Sequence, residues 1–171
     1  MPGHVILSHG LNSSPAAAKV SALAAVAERL GWTHERPDYS AIDARMNVDE
    51  IQARLSTLLE RCAGARRPLV LAGSSMGAFI SALASLEVPC AGLFLIAPPV
   101  NIDGFPRSLR AAVQPTMVVH GWSDDVCPVG DVIRWTQRRR DRLLLVDDGH
   151  RLDRHVDLCA EEFGRFLSTL K

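Results

Sequence analysis

The sequence lacks net charge: nineteen lysine and arginine residues balance nineteen aspartate and glutamate residues. That argues against a general electrostatic grip on nucleic acid or on an anionic membrane, which needs a basic excess. Cysteine is sparse, and Cys62, Cys90, Cys127 and Cys159 lie far apart. No CxxC or zinc-ligand spacing occurs, and no metal or organic cofactor is expected. The four read as reduced, mostly buried small apolar residues. No apolar run approaches the ~20 residues that a bilayer-spanning helix needs. The opening Met-Pro-Gly-His shows no basic segment followed by a long apolar one, so no secretory signal is visible and a cytoplasmic location is expected. No repeat or low-complexity linker divides the 171 residues, which read as one domain, 1–171. Apolar residues, at 47%, are plentiful enough for a real core.

Those apolar residues alternate between two patterns from end to end. Continuous runs occur at His4–Ser8, Pro68–Ala72, Gly92–Ala97, Thr116–His120 and Leu143–Val146, with a weaker, more polar edge run at 33–39. Between them apolar residues recur at helical spacing. Val20, Leu23, Ala24, Ala27 and Leu30 form one stripe, with Ser14-Pro15 expected to start the helix and Gly31 to end it. Ile51, Leu55, Leu58, Leu59 and Cys62 form another, preceded by Asn47 and Glu50 as a capping box. A helix is expected from Ser75 to about Leu86, and a last one carries Val156, Cys159, Ala160, Phe163, Leu167 and Leu170. Apolar strands alternating with amphipathic helices predict an α/β three-layer sandwich around a parallel sheet. Arg138-Arg139-Arg140 reads as a solvated helix end rather than a nucleic-acid patch.

Ligands of open α/β sheets bind at the carboxyl ends of the strands, and the chemically useful residues fall there. Ser75 follows the third run inside Gly73-Ser74-Ser75-Met76-Gly77. A sharp strand-to-helix turn needs small residues on both sides, and the glycines flank Ser75 symmetrically but not Ser74. Oγ of Ser75 would stand at a helix N-terminus, where developing negative charge is favoured. A serine nucleophile needs a base. His150, after the last strand in Asp147-Asp148-Gly149-His150, is the candidate. His155 belongs to the last helix, His120 packs beneath the loop that follows it, and His4 and His34 stand at strand starts. The base needs a carboxylate. Asp124 and Asp125 both qualify, and spacing leaves the choice open. The backbone N–H groups of Met76 and of Leu11, after His9-Gly10, are the expected oxyanion donors.

Together these pieces resemble the α/β-hydrolase superfamily over essentially the whole chain. The order Ser75, Asp124, His150 matches the family order of nucleophile, acid and histidine. His9-Gly-Leu-Asn-Ser-Ser-Pro15 is similar to its oxyanion loop, His120-Gly-Trp-Ser-Asp124 with Pro128 to its acid loop, and Asp148-Gly-His150 to its histidine loop. The resemblance selects Asp124 over Asp125 and implies a six-stranded parallel sheet in the order 2-1-3-4-5-6. It is nearest to small bacterial esterases without a lid or an N-terminal hairpin. It implies a serine hydrolase of small or short-acyl esters. A thioesterase, peptidase or lactone hydrolase on the same triad is the alternative, as is a binding protein on this fold. The pocket is expected to involve Gly10, Leu11, Asn12, Met76, Pro98, Pro99, Val100 and Val126. Arg107 and Arg110 are expected on a solvated helix face.

Overall fold

Six strands pair into one all-parallel sheet in the order β2-β1-β3-β4-β5-β6, as the resemblance implied. They are β1 (His4–Ser8), β2 (Thr33–Glu35), β3 (Leu69–Ser74), β4 (Gly92–Ile96), β5 (Thr116–Gly121) and β6 (Arg142–Val146). The structure, a computed structural model, describes residues 2–170. The helices are α1 (Ala18–Arg29), α2 (Ser40–Asp43), α3 (Glu50–Ala63), α4 (Met76–Ala84), α5 (Val129–Arg139) and α6 (Val156–Thr169).

Alternation along the strands divides the core in two. Val5, Leu7, Val70, Ala72, Phe94, Ile96 and Val119 face α1 and α6. Ile6, Leu69, Leu71, Leu93, Leu95 and Val118 face α3, α4 and α5. Successive strand side chains point to opposite faces, so unbroken apolar runs require both faces to be covered. Phe94 contacts Phe163 edge-on, with ring centroids 5.1 Å apart.

Several local expectations are corrected. Ser14 does not cap α1, which begins at Ala18. Ser14 instead closes a preceding turn, its Oγ accepting the Ala16 N–H and its carbonyl the Ala17 N–H. The Asn47–Glu50 capping box does not form. Asn47 Oδ1 accepts the Asp49 N–H, and Glu50 turns outward to Arg45. The edge run is only three residues, because Arg36 turns inward to the Pro15 carbonyl and Ser21. The segment 97–115 contains no helix or strand, so Arg107 and Arg110 do not share a helix face. Leu109 anchors it, accepting the Trp135 indole N–H through its carbonyl. Arg139 is not merely a solvated helix end. It stacks on Trp135 and holds Asp141 and the Ala111 and Ala112 carbonyls.

Candidate active site

The turn from β3 into α4 is held by close backbone approach. A Cβ on Gly77 would meet the Ser8 carbonyl oxygen at 2.0 Å, and one on Gly73 would meet the Gly77 carbonyl carbon at 2.3 Å. Both are backbone collisions, so any larger residue would force the turn open. Between them Ser75 has φ 53 and ψ −115, a strained conformation for a residue with a Cβ. Its N–H donates to the Ile96 carbonyl, which ties the turn to β4.

This turn presents Ser75 Oγ to His150 Nε2 at 2.9 Å. The other ring nitrogen, Nδ1, lies 2.8 Å from Asp124 Oδ2. A carboxylate only accepts, so Nδ1 carries the proton and Nε2 is left to accept from the serine hydroxyl. Asp124 is engaged on every side. Its Oδ1 accepts the N–H groups of Val126 and Cys127, and Oδ2 lies 3.3 Å from His120 Nε2. Burial works against this carboxylate. The His150 hydrogen bond and the Cys127 and Val126 N–H groups outweigh it and hold the carboxyl below its usual range. Asp125 is exposed. His120 is buried beneath Asp124 and donates from Nε2 to the Cys127 carbonyl at 2.9 Å.

His150 is positioned by Asp148. One Asp148 oxygen accepts the Gly149 N–H, and the other accepts the Arg154 N–H and faces His155 Nδ1 at 2.8 Å. His155 is the N-cap of α6 rather than part of its body, and it braces this loop.

Gly10 lies against Ser75: a Cβ there would be 3.6 Å from Ser75 Cβ. Beside it, the N–H groups of Leu11 and Met76 have no acceptor among the described residues. Two recesses open here. A groove of about 790 Å³ runs from Ser75 and His150 past Ser13, Lys19, Val126 and Arg151. A second cavity of about 250 Å³ lies on the far side of Leu11 and Met76 and is lined largely by apolar groups, among them Met46, Val48 and Ile102. Asn12 borders both. Pro98, Pro99 and Val100 border neither. The chain turns inward after β4, so both prolines are buried and Val100 packs on the α4 side of the sheet. Arg107 and Arg110 also stand outside both recesses. A further recess of about 540 Å³, bounded by Arg138, Thr116 and Arg142, lies at the amino ends of β5 and β6, away from these residues.

Asp124, Cys127 and His150 could each offer a metal one ligand atom, all within 4.8 Å of one another. Burial pushes the Cys127 thiol up to about 12, and the carboxylate and imidazole are already spent on hydrogen bonds. The donor set fits a proton relay better than a metal site.

Reading the sequence did not single out Asp43, Arg54 or Tyr39. Arg54 carried a signal. It falls on the buried stripe of α3 with Ile51, Leu55, Leu58 and Cys62, where an unpaired charge would be costly. Asp43 lies in a stretch without periodicity and carried none.

Buried histidines make acid sensitivity predictable. His9 and His120 are fully buried, and burial is the main cause lowering both imidazoles. The unfolded chain therefore takes up protons near pH ~6.5 that the folded chain refuses, and stability falls with pH below that point. The Asp148 carboxyl, held low chiefly by His155, and that of Asp124 add a second loss below about pH 4. The urea midpoint is expected to be level from pH 8 to 7, lower at pH 5 and lower again at pH 3.5. A midpoint unchanged from pH 7 to 5 would contradict this account.

No protein-family model matches the sequence, and no curated protein does. Solved structures do. A protein of Xanthomonas campestris pv. campestris, assigned to the α/β hydrolase superfamily, is 50% identical, with a TM-score of 0.95 over 98% of this chain and 99% of its own. Mouse alpha/beta hydrolase domain-containing protein 10 is similar in fold at 18% identity, with a TM-score of 0.79 over 100% of this chain and 93% of its own. An esterase of Pyrococcus furiosus is likewise similar in fold, at 15% identity and a TM-score of 0.77 over 98% and 82%. With half of its residues shared over the full length of the first of these, the chain belongs to the α/β hydrolase superfamily.

Proposed function

We propose that this protein is a serine hydrolase that cleaves small or short-acyl carboxylic esters through an acyl-enzyme on Ser75. The observation that carries the reading is the unbroken chain of hydrogen bonds from Ser75 Oγ through His150 to Asp124. In the first step the Ser75 proton passes to His150 Nε2 as Oγ attacks the ester carbonyl. The carbonyl oxygen becomes an anion opposite the Leu11 and Met76 N–H groups. The imidazolium then protonates the leaving oxygen as its bond to carbon breaks. Water repeats the sequence on the acyl-enzyme, giving its proton to His150 and releasing the acid and Ser75.

The two recesses support the choice of substrate class. The leaving oxygen must lie on the His150 side to be protonated, which directs the alcohol part to the larger groove with Lys19 and Arg151. The acyl part then points past Leu11 and Met76 toward the apolar cavity. At about 250 Å³ that cavity is below the ~300–1,000 Å³ usual for drug-sized ligands, which suits a short chain. A cytoplasmic site of action is part of the proposal and agrees with the four free cysteines, three of them buried.

A fluorophosphonate probe is expected to label the folded protein on Ser75, located by peptide mass. Among p-nitrophenyl esters, acetate and butyrate are expected to turn over faster than octanoate and longer chains. A folded protein that takes no label is a binding protein rather than a hydrolase. A label on Ser75 with preference for thioesters, lactones or long chains would keep the nucleophile and overturn the substrate class.

A further inference from the structure

The loop between β1 and α1 rests on a buried ion pair. Arg54 is 1% exposed and Asp43 5%. The guanidinium meets the carboxylate through two parallel bonds, Nε to Oδ1 at 2.7 Å and Nη2 to Oδ2 at 2.9 Å. Tyr39 covers its face, 4.6 Å from ring centroid to Cζ. Two further donors go to the loop backbone: Nη1 to the His9 carbonyl at 3.1 Å and Nη2 to the Gly10 carbonyl at 3.0 Å. Asp43 Oδ2 accepts the Asn12 N–H at 3.1 Å. His9 completes the arrangement. Its Nε2 accepts the Tyr39 N–H, so Nδ1 carries the proton and donates to the Gly10 carbonyl at 2.7 Å.

The Gly10 carbonyl is thus gripped by two donors from the protein interior. In a trans peptide the N–H of the next residue points opposite to the carbonyl. Holding the Gly10 oxygen inward therefore turns the Leu11 N–H outward, and that N–H has no acceptor among the described residues. From this geometry we infer that the Arg54–Asp43 pair is a positioning device that aims the Leu11 N–H at the oxyanion of the tetrahedral intermediate. The inference rests on Ser75 being the nucleophile of the proposed hydrolase. A buried ion pair is seldom a good source of stability, since apolar residues of similar volume often serve as well. Its value here lies in donor geometry: one planar guanidinium makes two bonds to the carboxylate and one to each of two carbonyls, four in all, whereas an ammonium has only three donors and no fixed fork.

The test compares Arg54→Lys, Asp43→Asn and the double variant Arg54→Met/Asp43→Leu with the parent protein. Each is measured for p-nitrophenyl acetate hydrolysis, for affinity toward phenylboronic acid, and for thermal unfolding. The boronic acid forms a tetrahedral adduct on Ser75 with an oxygen in the oxyanion position. A misaimed donor lowers kcat by about 10²-fold with KM little changed, and weakens the boronic acid by a similar factor. The double variant keeps a packed, uncharged interior, so it is expected to stay folded and remain as slow as Arg54→Lys. A folded variant with parent kcat and parent boronic-acid affinity overturns the inference. So does a double variant that regains parent kcat, since the pair would then serve packing alone. Fluorophosphonate labelling of the parent separates the two levels. If the parent takes no label, the nucleophile assignment and the positioning role fall together. If it is labelled while the variants behave as the parent, only the positioning role falls.

Discussion

Ser75→Ala is expected to lower kcat by roughly 10⁴–10⁶-fold while leaving the protein folded, since a triad acts as a unit and loses most of its effect with any member. The fold should survive because Ser75 Oγ contributes one hydrogen bond, to a half-buried imidazole at the rim of the sheet. A second substitution sharpens the test. Ser75 holds φ 53 against the preference of any residue with a Cβ, and strain of this kind costs on the order of 1–3 kcal/mol. Glycine tolerates the conformation, so Ser75→Gly is expected to be as inactive as alanine and to melt higher than Ser75→Ala. Measuring both variants with p-nitrophenyl acetate and by thermal unfolding checks the two effects together. Residual hydrolysis near the parent rate in either variant would remove Ser75 as nucleophile. A glycine variant that melts below the alanine variant would show that the turn is not under strain.

Asp124→Asn carries the second large effect, a loss of about 10⁴-fold in kcat, the size seen when a triad acid becomes an amide. The cause here is directional. One oxygen at this position must accept the Val126 and Cys127 N–H groups. An asparagine would commit its oxygen there and turn its NH₂ toward His150 Nδ1. The imidazole would then accept at Nδ1 and carry its proton on Nε2, leaving no lone pair for the Ser75 hydroxyl. Asp125→Asn, one residue away on the exposed side of the same turn, is expected to keep parent activity. Equal losses in the two variants, or a loss only at 125, would reassign the acid.

Strand ends were legible because two simple regularities coincide in them. Parallel strands buried on both faces must be continuously apolar, so β1, β3, β4 and β5 announce themselves, and the half-covered edge strand β6 still shows an apolar run at Leu143–Val146. Ser75, Asp124 and His150 each follow the end of such a run. Helix starts were less legible. Ser14 and Asn47 are chemically able to cap, yet both close a turn just upstream, because a side chain that accepts a nearby N–H does so equally well in a turn. Pro98 and Pro99 follow a strand end as the site residues do, and position alone gives no sign that the chain there dives inward. Arg54 and Asp43 are eleven residues apart in sequence, and their joint hold on the loop after β1 depends on how α3 packs across the sheet. No local pattern encodes that. The charge on an otherwise apolar stripe marked Arg54 as needing a partner without saying which.

The outer strands set a limit on self-association. An open sheet edge is a template on which another copy can lay its own strand. β2 offers a template of only three residues, and two of its side chains are engaged in polar contacts: His34 Nε2 hydrogen-bonds Glu28, and Glu35 pairs with Arg61. A copy attempting to extend the sheet there would gain few backbone bonds beside the Glu35–Arg61 ion pair. The opposite edge, β6, begins with the exposed Arg142 and is half-covered along its length. The candidate site opens beyond the carboxyl ends of β1, β3, β5 and β6, along the strand axes and so at right angles to that direction of growth. Edge-to-edge extension of the sheet is thus discouraged at β2, and the rim around Ser75 and His150 faces away from it.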